Sequence, residues 1–145
     1  DKFMGDAVLA VFGAPVQLKD PSLAAGHAAL AIKERFTVFR DQWVSRSSDF
    51  QSVDLGIAIT SGTVFFGNIG SARRLDYTVI GNEVNIAQRL AARAWESRIY
   101  VTESVLRETG DHFIVENLGE ITLRGVEKKV PTFSLLGKKT KNTDF

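Results

Sequence analysis

Apolar residues fall in short bursts along the chain, and their spacing changes from segment to segment. Residues 7–12, AVLAVF, form a brief apolar run closed by Gly13-Ala14-Pro15, which predicts a buried strand. Gly5-Asp6 predicts a tight turn before it, and Lys2-Phe3-Met4 the other arm of a β-hairpin. Asp20-Pro21 predicts a helix start, because Asp can accept free N–H groups and Pro is tolerated at the first helical position. Ala25, Ala29, Ile32, Phe36, Phe39 and Trp43 then recur every three or four residues. They make one apolar face of a long helix ending near Arg46.

Alternation takes over next. Val53, Leu55, Ile57 and Ile59 oppose Asp54, Gly56, Ala58 and Thr60, which predicts a strand packed on one face. Ser61-Gly62 is expected to turn it back into a second strand at Thr63–Phe66, as a hairpin. Gly67–Arg74 reads as a loop and Asp76–Ile80 as a short extended piece. A second helix is predicted from Gly81-Asn82, with Val84, Ala87, Leu90, Ala91 and Ala94 apolar and Asn85, Arg89 and Arg93 on one polar stripe. Residues 98–102 predict a strand. Thr102–Thr109 predicts a short helix capped by Thr102, with Gly110 just past its end. Residues 112–116 and 120–124 read as a hairpin around Asn117-Leu118-Gly119. Thr132–Leu136 reads as a last strand and Lys138–Phe145 as a polar tail. The fold class that follows is mixed α/β (α+β), with an antiparallel-rich sheet and helices on one side of it.

Composition narrows the chemistry. The chain has 145 residues, enough for one domain, and its 44% hydrophobic and 24% charged residues are those of a globular protein. It has no cysteine, so disulfides, thiolate nucleophiles and Cys-based metal sites are excluded. Its two histidines, His27 and His112, are too far apart in sequence for a multi-His metal site. Any metal must therefore be held by oxygen, which points to Mg²⁺, Mn²⁺ or Ca²⁺. A net charge of +1 does not favour nucleic acid as a partner. No apolar run is long enough to span a membrane. Asp1-Lys2-Phe3 opens like the interior of a longer sequence.

Three groups of residues carry candidate chemistry. In KFMGD, a turn presents Asp6 to a divalent cation and Lys2 to a ligand acceptor, or the two are simply a turn residue and a solvated charge. In TVIGNEVNIAQR, a Gly turn opens a helix with Asn85 in its first turn and Arg89 one turn later. That suits phosphate and sugar oxygens, or plain capping with a surface charge. Arg124 and Lys128-Lys129 make a basic hairpin tip. His27 reads as a packing histidine, and Trp43 and Trp95 as anchors at helix ends.

Together, DKFMGDAVLAVFGAP, GIAITSGTVFFGNIGS and YTVIGNEVNIAQRLA resemble three consecutive blocks of the class III nucleotide cyclase catalytic domain, followed by a closing hairpin with LRGV. The resemblance covers residues 1–137 and leaves 138–145 as the tail. It implies a ferredoxin-like cyclase fold acting on ATP as an adenylate cyclase, with Mg²⁺ or Mn²⁺ in a two-metal site. Asp6 falls on one of two metal-binding aspartates. Lys2 and Thr78 fall on the purine-reading positions, where Lys rather than Glu favours adenine. Asn85 falls on the ribose-orienting position and Arg89 on the residue that stabilises charge on the α-phosphate. Lys128, or else Arg124, falls nearest the triphosphate-binding Lys. The resemblance also implies a head-to-tail homodimer whose active sites take the aspartates from one subunit and Lys, Thr, Asn and Arg from the other. Regulatory domains elsewhere in the protein and a cytoplasmic setting are implied as well. The family's other metal aspartate stands on an earlier strand, in a Phe-x-Asp-Ile segment that this chain lacks. The expectation is therefore an N-terminally truncated domain, without the first strand and the helices after it, and inactive or nearly so alone. A guanylate cyclase and a non-catalytic nucleotide-binding or dimerisation module are the alternatives.

Overall fold

A computed structural model describes residues 1–140, excepting the side chains at 74 and 75. The first hairpin forms as expected. β1 (Lys2–Met4) pairs antiparallel with β2 (Ala7–Leu9) across the Gly5-Asp6 turn. β2 stops three residues short of the apolar run's end, and it is not buried: Val8 and its cross-strand neighbour Phe3 are exposed. α1 (Pro21–Val44) starts where Asp20-Pro21 predicts, although the Asp20 side chain makes no capping hydrogen bond. Its apolar stripe is fully buried only near the N-terminus. Ala25 and Ala29 are buried, whereas Ile32 and Phe39 are exposed. Gly26 lets α1 approach the sheet closely, because a Cβ there would lie 2.6 Å from the Phe113 ring.

After a single 3₁₀ turn (Ser48–Ser52), β3 (Ile57–Ile59) does not fold back on its neighbour, as the alternating pattern suggested. It pairs in parallel with β6 (Ile99–Thr102), forty residues on in the chain. The predicted loop is instead a long antiparallel arm. β4 (Phe65–Ser71) and β5 (Arg74–Ile80) pair from Phe65↔Ile80 to Ser71↔Arg74. α2 (Asn82–Ala91) begins as predicted but ends before Arg93, so the polar stripe holds Asn85 and Arg89 alone. Ile86, which the sequence pattern omitted, joins Leu90 as its buried face. α3 (Glu103–Thr109) follows β6, with Thr102 at its start and Gly110 just past its end at φ +56°.

The closing hairpin has a different register from the predicted one. β7 (Phe113–Ile121) is continuous and pairs with β8 (Val130–Lys138). Asn117-Leu118-Gly119 is a bulge inside β7, where the register shifts and Asn117 Oδ1 accepts the Gly119 N–H at 2.7 Å. The turn lies in residues 122–129. The described residues end two beyond β8, and 141–145 of the expected tail lie outside them.

The main sheet runs β3-β6-β8-β7. Strand alternation sends its residues to two faces, so the helices do not all lie on one side. Ile57, Ile59, Ile99, Val101 and Leu135 pack with Ala29 of α1 and Val105 of α3. Ala58 and Tyr100 turn the other way, toward Ile86 and Leu90 of α2. No helix among the described residues is long and apolar enough to cross a membrane.

The entry to β3 is held by Asp54, whose Oδ1 accepts the Leu55 N–H at 2.8 Å and the Ser97 hydroxyl at 2.7 Å. Partial desolvation pushes its carboxyl up, but hydrogen bonds from Ser97, Leu55 and Glu96 outweigh it and the pKa ends lowered. A depressed carboxylate stabilises the fold above the ordinary Asp range, and that contribution disappears as pH falls through the folded-state pKa. Ser97→Ala is therefore expected to lower stability near neutral pH by about 1 kcal/mol or less, after allowing for screening of an exposed carboxylate. The loss should vanish in acid, and thermal melts of both proteins across pH test this. An equal loss at every pH would refute the assignment.

Candidate active site

The residues that the resemblance assigns fall into two groups. The first lies where the β1–β2 hairpin meets the β4–β5 arm. Lys2 on β1 and Thr78 on β5 are both half-buried. They converge on one oxygen: Asp1 Oδ2 accepts the Thr78 hydroxyl at 2.7 Å and stands 3.8 Å from Lys2 Nζ. The Asp1 backbone nitrogen donates to the Leu9 carbonyl at 2.8 Å. Asp1 was no candidate in the sequence. Its position immediately before Lys2 was the one signal available.

The second group centres on α2. Asn85 is exposed in its first turn, and Arg89 is half-buried one turn later. Arg89 lies against the β7–β8 turn, close enough that a Cβ on Gly125 would lie 3.3 Å from both Nη1 and Nη2. The seat beneath is apolar: Ile86 and Leu90 of α2 pack with Leu123 and Val130 on either side of that turn. Arg124 and Lys128 are exposed on the same turn. A guanidinium held this way over backbone keeps its planar fork available for bidentate contact with phosphate oxygens. Gly125 has φ +73°, a left-handed conformation that L side chains rarely adopt. Gly125→Ala is thus expected to strain the turn and displace the Arg89 guanidinium. The expected result is at least a several-fold drop in kcat with a modest fall in Tm, read by steady-state kinetics and thermal melting. An unchanged kcat would remove Gly125 from the site.

Asp6 stands apart from both groups, exposed at the apex of the first turn. Its carboxylate is a hard oxygen donor of the type Mg²⁺ or Mn²⁺ takes. The described residues gather no cluster of three or more carboxylates or histidines that could surround an ion. The donor set here is therefore one ligand and not a site. Glu83, beside Asn82 in the first turn of α2, has its pKa raised by burial.

The remaining candidates are structural. His27 lies edge-on to Phe113 with centroids 5.2 Å apart, and burial lowers its pKa, with Lys138 and His112 adding to the effect. Trp43 packs against Phe39 and Phe50 and anchors the end of α1. Trp95 is 71% exposed beyond the end of α2, so it anchors nothing there.

Residues 2–137 match the family described as the Adenylate and Guanylate cyclase catalytic domain. An uncharacterized protein of Mycobacterium tuberculosis is 38% identical over 134 residues, which is 90% of this chain and 22% of that protein. The chain thus spans about a fifth of that relative's length. Among solved structures, the adenylyl cyclase CyaB from P. aeruginosa superposes with a TM-score of 0.85 at 28% identity, covering 96% of this chain and 71% of that one. The guanylyl cyclase Cya2 superposes with a TM-score of 0.85 at 29% identity, covering 99% and 72%. The likeness to an adenylyl and to a guanylyl cyclase is equally close, so the fold does not distinguish the two.

Proposed function

This chain belongs to the adenylate and guanylate cyclase catalytic domain family, and from that premise we propose that it acts on ATP as part of an adenylate cyclase. The reaction is attack of the ribose 3′-OH on the α-phosphorus, which forms 3′,5′-cyclic AMP as pyrophosphate leaves. Catalysis of that kind rests on positioning and on cations near the phosphates. In this reading Asn85 orients the ribose, Arg89 stabilises charge on the α-phosphate, and Lys128 or Arg124 holds the triphosphate. Lys2 and Thr78 read the purine. A bound Mg²⁺ or Mn²⁺ would supply positive charge near the phosphates, with Asp6 as the one ligand that these residues would contribute. A head-to-tail homodimer brings Asp6 of one subunit to Lys2, Thr78, Asn85 and Arg89 of the other.

The observation that carries the choice of ATP is the convergence of Lys2 and Thr78 on one carboxylate oxygen. It sets an ammonium donor beside a hydroxyl, a pairing that matches the ring nitrogen and exocyclic amine of adenine. Formation of cyclic AMP from ATP and of cyclic GMP from GTP, each with Mn²⁺, tests this. ATP is expected to be preferred, and Lys2→Glu with Thr78→Cys is expected to move the preference toward GTP. A preference for GTP in the unaltered protein would replace this reading with a guanylate cyclase, and nucleotide binding without turnover with a binding module. The 145-residue segment alone is expected to turn over little or no ATP, because it offers Asp6 as its one candidate metal carboxylate. Robust turnover by the segment would show that a second is not needed.

A further inference from the structure

The Asp1 side chain is only 4% exposed. It is a buried carboxylate within reach of both residues assigned to the purine. What it does to Thr78 follows from counting protons. A hydroxyl has one proton and two lone pairs. Thr78 gives that proton to Asp1 Oδ2 at 2.7 Å. Only its lone pairs are left for a ligand, so Thr78 meets a base as an acceptor. Lys2 has three N–H donors and no acceptor. Asp1 Oδ2, 3.8 Å from its Nζ, offsets its charge and leaves donors free.

The pair therefore offers a fixed pattern, an acceptor beside a donor. Adenine presents the complement, with an exocyclic amine that donates and a ring N1 that accepts. A 6-oxo purine presents the reverse, with a carbonyl that accepts and an N1–H that donates. Without Asp1 the Thr78 hydroxyl is free to rotate and donate to a 6-oxo carbonyl, which removes one of the two mismatches that exclude a 6-oxo purine and leaves that of the Lys2 ammonium with its N1–H. We propose that Asp1 is a specificity-determining positioning residue, which locks the Thr78 hydroxyl as an acceptor so that the pair takes 6-amino purines and rejects 6-oxo purines. This rests on the reading of Lys2 and Thr78 as purine-edge residues.

The test uses the protein expressed with all the sequence that its gene encodes around this segment. Steady-state kinetics are measured with Mn²⁺ on ATP and on inosine triphosphate, which carries the 6-oxo edge without the 2-amino group of guanine. Asp1→Ala is expected to lower the ATP-to-ITP ratio of kcat/KM about tenfold or more, mainly through KM. Asp1→Leu, which fills the vacated space, is expected to do the same if the Ala variant folds poorly. Asp1→Asn keeps an oxygen that can accept the Thr78 proton, and should hold the ratio within about threefold. Equal losses on both nucleotides in the Ala and Leu variants would show a role in folding alone and overturn the proposal. So would a ratio that falls as far in Asp1→Asn as in Asp1→Ala. Thr78→Val separates the two levels of the argument. If it leaves the ratio unchanged, the purine-edge reading fails. If it collapses the ratio while Asp1→Ala and Asp1→Leu do not, the reading stands and the role of Asp1 is wrong.

Discussion

Replacing Arg89 by alanine is expected to lower kcat for ATP cyclisation by a factor on the order of 10²–10³, with a much smaller change in KM. The expectation comes from where the residue sits. Arg89 lies one turn into α2 with its guanidinium against the β7–β8 turn at Gly125. A preorganised cation acts chiefly where charge develops in the transition state, and its loss therefore appears in kcat. Arg89→Lys keeps the charge but replaces the planar fork with a point charge, and it should recover little of the rate. Steady-state kinetics check both variants. A kcat within twofold of the unaltered protein in Arg89→Ala would remove the residue from the reaction.

Leu90→Ala is expected to cost about 2–5 kcal/mol of stability, a large share of the roughly 5–15 kcal/mol that a domain has. Leu90 is fully buried and packs with Ile86, Leu123 and Val130. That cluster does two jobs. It closes the α2 face of the main sheet, and it fixes the base of the turn that carries Gly125 under Arg89. The cavity should therefore lower the urea midpoint and also loosen Arg89, so that folded protein at low temperature still shows reduced kcat. Leu136→Ala provides the contrast. Leu136 is 53% exposed on β8, and its removal is expected to stay within about 0.5 kcal/mol. A Leu90→Ala protein as stable as the Leu136→Ala one would disprove the packing argument.

Some of the elements that carry the candidate residues were legible because they form locally. The Gly5-Asp6 hairpin and the start of α2 arise from contacts within a few residues. The failures have physical causes too. Gly67, Gly70 and Ser71 are turn-forming residues by composition, yet they extend in β4 because β5 pairs alongside them in an antiparallel ladder. Asn117-Leu118-Gly119 carries a turn signal, and the chain uses it for a bulge, since β8 pairs on both sides of it. Val53–Thr60 alternates as a hairpin arm would, but β3 finds its partner in β6, and no local pattern encodes a parallel pairing across forty residues. Of α1's apolar stripe, Ala25 and Ala29 are covered while Ile32 and Phe39 are open, and periodicity alone cannot tell one from the other.

By itself, then, the sequence determined the kind of chemistry open to this protein. With no cysteine and two distant histidines, a site had to be built from carboxylate, amide, hydroxyl, ammonium and guanidinium groups, and the runs around Lys2, Asp6, Thr78, Asn85 and Arg89 supplied them. Local spacing is enough for that, because residue type and nearest turn decide what a side chain can donate or accept. Tertiary structure alone decided which of these groups meet. It joined Lys2 to Thr78 across 76 positions through the buried carboxylate of Asp1, and it laid Arg89 on Gly125 through an apolar seat of Leu90 and Leu123. Such meetings depend on sheet pairing and packing between distant segments, where hydrogen-bond polarity and close approach are settled by neighbours that no local pattern names.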